Sequence, residues 1–373
     1  MYRYILVALL ILGIPLAAHG GTGLASFKAC RACHSDIFEL WKHSLHGQSY
    51  SDPPFQAAYM KLMLDAGRDS TRMCLRCHAP SAYLAHDSDP NSNLAAEGIS
   101  CSFCHSVSSV NEGNPDSYYN LDTSGAVYGP YPPREPAGHE VRKSELHAHS
   151  SFCAGCHEFA NPNGVMLLET YSEWKSSPYP NNGVQCQNCH MPIMYDLRMV
   201  DAENASDRYV TAHEFRGGHS AINLSHAVKL ETRAARAGQT VNVEVTVTNA
   251  ESGHKLPTGI PIRKLVLKVV MKTPQGAEIA SGRKVYRKVL CDKYGAIIEN
   301  VADMFVTATR VFSDNRIAPK ESRTEHFTFE VPAWASQFVI EAALNYEYSR
   351  PVLSEESVSI EMAKNTINSK LID

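Results

Sequence analysis

Apolar and polar positions divide the chain into two parts. From Phe27 to about Asn223 the sequence is rich in Gly, Pro, Asn, Ser, His and Cys. Only short helical runs stand out there, such as Asp36–His43 (DIFELWKH) and Phe55–Ala66 (FQAAYMKLMLDA). A stretch this long with so little apolar periodicity makes a poor core for an ordinary domain. From roughly Leu224 the pattern changes. Thr240–Thr248 (TVNVEVTVT) alternates strictly, and Ile262–Lys272 (IRKLVLKVVMK), Thr324–Val331 (TEHFTFEV) and Phe338–Tyr348 (FVIEAALNYEY) read as further strands. Turns such as Thr273–Gly276 (TPQG) separate them. Alternating strands with intervening turns predict a small antiparallel β-sandwich of the immunoglobulin or fibronectin kind over residues 224–373. The tail after about Ser357 is too mixed to assign. The fold class expected is α+β, with a loop-rich, short-helix region at 21–223 ahead of the sheets.

The N-terminus reads as a secretory signal over residues 1–20. Arg3 gives a short positive region, Ile5 to Leu16 is apolar, and small residues follow (PLAAHGG), with cleavage after Ala18 or Gly20. The apolar run is shorter than the roughly 20 residues a spanning helix needs. No other stretch is apolar enough to span a bilayer. The expectation is an exported mature protein without a transmembrane span, in the periplasm, at the cell surface or outside the cell.

Cysteine spacing supplies the missing core. Five copies of Cys-x-x-Cys-His occur, at Cys30–His34, Cys74–His78, Cys101–His105, Cys153–His157 and Cys186–His190. This is the attachment signature of a c-type haem. In each copy both thiols add to haem vinyl groups, through Cys30 and Cys33, Cys74 and Cys77, Cys101 and Cys104, Cys153 and Cys156, and Cys186 and Cys189. The histidines His34, His78, His105, His157 and His190 are then placed to ligate the irons from one face. Five porphyrins would provide the apolar volume that the N-terminal sequence lacks. Export fits, because haem attachment needs reduced thiols and takes place outside the cytoplasm. Of the 11 cysteines only Cys291 is left over, in an apolar strand-like run (VYRKVLCDKYG) expected to bury an inert thiol.

The formal charge is −4, and removing Arg3 with the signal makes it −5. Haem propionates add further negative charge. This balance excludes the strongly basic surface that nucleic-acid binding needs.

The sixth ligand of each iron decides what the protein can do: a histidine closes the shell for electron transfer, an open position admits substrate. Of 17 histidines, those outside the motifs and the signal are His43, His46, His86, His139, His147, His149, His213, His219, His226, His254 and His326. They suffice to close five shells. His46 follows the first motif after a short helix and turn beside Trp41. His254 sits in GHKLPTG, a loop shaped by Gly253, Pro257 and Gly259 between the first two strands. His213 and His219 flank a double glycine (AHEFRGGHS), where backbone can approach a haem closely. His139 and His147 precede the fourth motif, with His149 beside them. His326 alternates within a strand and is expected to be structural, and His43 to lie on a helix surface. Met191 directly follows His190, so it cannot reach the opposite face of the same iron.

Several pieces together resemble the multihaem cytochrome c superfamily that includes the tetrahaem cytochrome c of ammonia oxidisers and hydroxylamine oxidoreductase. They are CRACHSDIFELWKHSLHG, EGISCSFCHSV, SSFCAGCHEFANPNG, TYSEWKSSPY with GVQCQNCHMP, and AHEFRGG, spanning about residues 28 to 220. The resemblance implies that His46 is an axial ligand and that closely packed haems form an electron wire. GHKLPTG leading into strands is similar, more loosely, to multihaem cytochromes of metal-reducing and related respirers. The chain departs from the catalytic members: it has no Cys-x-x-Cys-Lys motif and not the eight motifs of hydroxylamine oxidoreductase.

The leading expectation is a pentahaem electron carrier with mostly bis-histidine haems. Its partners would be other redox proteins, quinol-linked or outer-membrane cytochromes. The alternatives are an oxidoreductase acting on a small nitrogen or sulfur compound at one five-coordinate haem, and a self-associating subunit of a conducting filament.

Overall fold

The strict alternation of Thr240–Thr248 is seen directly as burial: Val241, Val243, Val245 and Val247 are buried and the residues between them are not. In this computed structural model, which describes residues 23–133, 138–201, 209–349 and 357–369, the C-terminal half is built of antiparallel strands. The expected signal peptide lies outside the described residues. The strands are β1 (Val228–Ala237), β2 (Thr240–Asn249), β3 (Arg263–Lys272), β4 (Glu278–Tyr286), β5 (Lys288–Cys291), β6 (Ile297–Ile298), β7 (Arg310–Asp314), β8 (Ser322–Glu330), β9 (Val339–Ser349) and β10 (Ser357–Asn368).

They form a three-stranded sheet ordered β8-β2-β1, a four-stranded sheet ordered β4-β3-β9-β10, and a small sheet ordered β6-β5-β7. Register between β2 and β8 runs without a slip from Thr240 opposite Glu330 to Thr248 opposite Ser322. The first two sheets share one apolar core, to which β2 gives its alternate valines, β3 gives Leu265, Leu267, Val269 and Met271, and β9 gives Ile340, Ala342 and Leu344. Four expected strands are present with ends moved by one or two residues. The unassigned tail is β10, in which Met362 is buried.

The cysteine-rich half has short helices, matching the expected α+β class. The two expected helices appear as Ser35–Lys42 and Pro53–Ala66, the latter capped by Asp52, whose carboxylate accepts the Phe55 N–H at 3.3 Å. Its own apolar clusters are small: Tyr50, Tyr59, Leu75, Ala79, Ala82 and Ala95 form one. Among the described residues no helix is long and apolar enough to cross a membrane.

Among the contacts between the halves are an apolar cluster and an ion cluster. Val165 and Leu167 pack with Leu290, Ile298, Met304 and Ala308. Beside them lies a buried ion cluster: Arg316 contacts Glu173 at 2.6 Å, Asp314 at 2.8 Å and Glu169 at 3.1 Å, and Lys288 contacts Glu169 at 2.5 Å. Burial pushes the Glu173 carboxyl up and the Lys288 ammonium down. Burial also acts to raise Asp314, but its bonds to Arg316 outweigh that and hold it well below the usual carboxylate range. Cys291 is buried as expected, with its sulfur 3.1 Å from Arg310 Nε.

Candidate haem centres

Each Cys-x-x-Cys-His motif lies on or against one short helical turn, so cysteines three residues apart share a face with the histidine beside them. The second to fifth motifs fall in the helices Arg68–His78, Cys101–Ser106, Ser151–His157 and Cys186–His190. The first straddles a break: Cys30 lies in Phe27–Arg31, and His34 begins the next helix as its N-cap. All 11 cysteines are free of disulfides, leaving the ten motif thiols available for thioether bonds.

Hydrogen bonds orient the motif imidazoles. Nδ1 of His34 donates to Met199 O at 2.5 Å, His78 to Ser49 O at 2.9 Å, His105 to Tyr128 O at 2.6 Å, and His190 to Arg216 O at 2.5 Å. This fixes the tautomer and leaves Nε2 available to a metal, as carbonyls do for metal-bound histidine.

Four motif histidines face a second histidine from elsewhere in the chain. Ring centres are 6.2 Å apart for His34–His139, 6.2 Å for His46–His157, 6.4 Å for His105–His213 and 6.4 Å for His190–His254. Two imidazoles bound to opposite faces of one metal ion, through bonds of about 2.0 Å, hold their ring centres about 6.3 Å apart. The four pairs therefore leave room for one iron each. Desolvation first, and neighbouring histidines second, push His46 down to about 3 and His157 and His254 to about 4; His213 falls to about 4 for the same reasons. These rings are neutral at neutral pH, the state in which imidazole ligates.

The histidines facing the motif rings are positioned by particular local features. Trp41 anchors the His46 turn, its indole donating to Ile99 O at 2.9 Å. Ile99 N–H in turn donates to His46 O at 3.0 Å, and Gly98 approaches so closely that a Cβ there would lie 2.8 Å from His46 O. His213 Nδ1 donates to Thr211 O at 2.7 Å, which frees Nε2. His254 Nδ1 is shared between Ser252 Oγ at 2.9 Å and Lys255 O at 3.1 Å.

The other sequence candidates lie differently. His147 is 5.8 Å from His105, but its Nε2 donates to Cys104 O at 3.0 Å and its Nδ1 is buried with no hydrogen-bond partner among the described residues. His219 stacks on Tyr348 at 4.6 Å. His149 is exposed, His43 faces Glu39 at 3.7 Å, His86 bonds Arg72 at 2.8 Å, and His326 is exposed on β8 beside Glu244. Among the described residues, the ring lying against His78 is that of Phe55, stacked at 3.9 Å.

The sites abut one another. The Cys30 thiol lies beside that of Cys101, Cys77 beside Cys156, and Cys153 beside Cys186. Two aromatic residues absent from the sequence candidates bridge the third and fourth sites. Phe215 lies 4.2 Å from His46 and 5.9 Å from His213, and Tyr119 OH lies 3.9 Å from Cys156 Sγ with its ring on Phe103. Phe215 takes φ 48°, a left-handed conformation costly for a bulky residue, and such strain concentrates at functional sites. A phenylalanine two residues from a candidate ligand was the sequence signal.

Five such motifs, four of them facing a second histidine, are the arrangement with which the comparisons are set side by side. Residues 29–106 match the family model described as cytochrome c554 and c-prime. A sequence comparison with curated proteins gives no match. Among solved structures, a penta-heme cytochrome c552 from Thermochromatium tepidum overlays with a TM-score of 0.72 at 22% identity, covering 93% of this chain and 99% of that one. The C-terminal domain of wzt covers 38% of this chain and 72% of that one, at 9% identity and a TM-score of only 0.21. The fold is that of a multihaem cytochrome c.

Proposed function

We propose that the chain binds five c-type haems and serves as an electron-transfer protein. The observation that carries this is the set of four cross-chain histidine pairs at 6.2 to 6.4 Å, each containing one motif histidine. The residues fit the group: ten motif cysteines hold it covalently, His34, His105, His157 and His190 ligate from one face, and His139, His213, His46 and His254 from the other. Bound haem supplies one-electron iron chemistry, with potentials set by ligation, burial and hydrogen bonding. The chain contributes close spacing of sites one to three, two to four and four to five, with Phe215 and Tyr119 filling the gap from three to four.

Cys33 and Cys189 are the exposed motif cysteines. The first and fifth sites are accordingly the ports for redox partners. We infer export from the attachment chemistry and the N-terminal sequence. The shared core of the first two sheets supports a sandwich of the immunoglobulin or fibronectin kind.

A second reading rests on His78, whose ring neighbour is Phe55 rather than another histidine. The second site would then keep an open face for a small nitrogen or sulfur compound.

The test is low-temperature EPR of the oxidised mature protein with carbon monoxide titration of the reduced form, after a haem count. Five haems, four of them low-spin and closed to carbon monoxide, support electron transfer. Carbon monoxide binding at the second site brings in the second reading. Fewer than five haems, or carbon monoxide at two or more, overturns the assignment.

A further inference from the structure

The loop that carries His254 is fastened to the helix that precedes the fifth motif. That helix, Thr170–Lys175, presents neighbouring residues to two different segments. Trp174 donates its indole N–H to Val184 O at 3.0 Å, two residues before Cys186. Glu173 Oε2 accepts the Lys255 N–H at 3.2 Å and the Thr258 hydroxyl at 2.7 Å, on either side of Leu256 and Pro257. Thr170 adds a hydroxyl contact to Thr258 at 2.9 Å. One short helix thus grips both the segment leading to His190 and the loop bearing His254.

Glu173 is in turn fixed from behind. Its other oxygen accepts from Arg316 Nη1 at 2.6 Å, and both side chains are nearly inaccessible to solvent. Replacing a buried ion pair with apolar groups is often neutral for stability, so its presence calls for another role. Charge-assisted bonds from one carboxylate to two points of a loop fix that loop's geometry more tightly than apolar packing does.

We propose that Glu173 is a positioning residue for the fifth haem: it sets the position of His254 opposite His190, acting through the backbone of Lys255 and the hydroxyl of Thr258. The inference rests on the proposed ligation by His254. It assigns the ion cluster between the two halves of the chain to ligand placement rather than to stability alone.

The test uses the haem-loaded full chain. Glu173→Ala is expected to retain five attached haems while one more haem per protein binds carbon monoxide and turns high-spin than in the parent. His254→Ala should give the same increment, and the double variant no more than either single one. Glu173→Gln, which keeps an oxygen for both donors, should restore the parental count. Five attached haems with parental carbon monoxide stoichiometry and potentials in Glu173→Ala would overturn the inference. If His254→Ala itself changes nothing, the ligand assignment fails instead. Should Glu173→Ala not mature, Thr258→Val decides, because it leaves every charge paired. Loss of that bond to a carboxylate should raise the fraction of the fifth haem open to carbon monoxide roughly tenfold. An unchanged fraction overturns the inference.

Discussion

His105 has two histidine rings beside it, and hydrogen bonding distinguishes them. His213 stands at 6.4 Å with Nδ1 committed to Thr211 O and Nε2 free. His147 stands nearer, at 5.8 Å, but its Nε2 is committed to Cys104 O, the residue next to His105. Replacing His213 with Ala should therefore create one additional carbon-monoxide-binding haem per protein, whereas His147→Ala should leave the count unchanged. A reversed result, read by the same titration, would exchange the two roles. Sequence context brought forward His46, His139, His213 and His254, because helix-turn, glycine and loop signals surround them. It could not rank His147 or His219 against them. That choice depends on carbonyls and rings distant in the chain, Cys104 for the one and Tyr348 for the other. Phe215 offered only its place two residues after His213 as a signal, since its contacts with His46 and His213 depend on a backbone conformation that sequence does not display.

At the scale of elements, legibility follows how one-sided each strand's burial is. β2 alternates strictly because one face meets the core throughout, so its sequence announced it. β10 gives only Met362 to full burial and so reads as mixed, yet it pairs with β9 over its length. β1 buries Val228 and Leu230 near its start and exposes most of the remainder, which hid it as well. Within β3 the two environments are adjacent, Leu267 fully buried and the Lys268 side chain 52% exposed beside Glu278. Leu267→Ala should lower unfolding stability by about 2–5 kcal/mol. Lys268→Ala should change it by no more than about 1 kcal/mol. Urea unfolding followed by far-ultraviolet circular dichroism checks both, and similar midpoints for the two would contradict the assigned faces.

For the whole molecule, the least legible feature is the joint between the halves. Arg316 and Glu173 are 143 positions apart; Glu173 stands in TYSEWKSSPY, but nothing in the sequence pairs it with Arg316. Removing the cation while leaving Glu169, Glu173 and Asp314 around it should be costly: Arg316→Met is expected to destabilise the protein by about 3–5 kcal/mol, as for other broken buried ion networks. A lowered thermal midpoint measures this. A change no larger than that from an exposed pair such as Lys320–Glu251, 3.6 Å apart, would show that the cluster contributes little.

The loop between β2 and β3 has a consequence for biogenesis. Residues 186–190 contain everything needed to capture a haem covalently, but the partner of His190 lies in a loop that takes its shape from strands on both sides. On the proposed ligation, attachment at the fifth site can precede folding of the C-terminal half, whereas completion of its coordination cannot. A maturing chain would pass through a form with all thioethers made and one iron still exposed, and closing that iron would signal that the last strands had found their places.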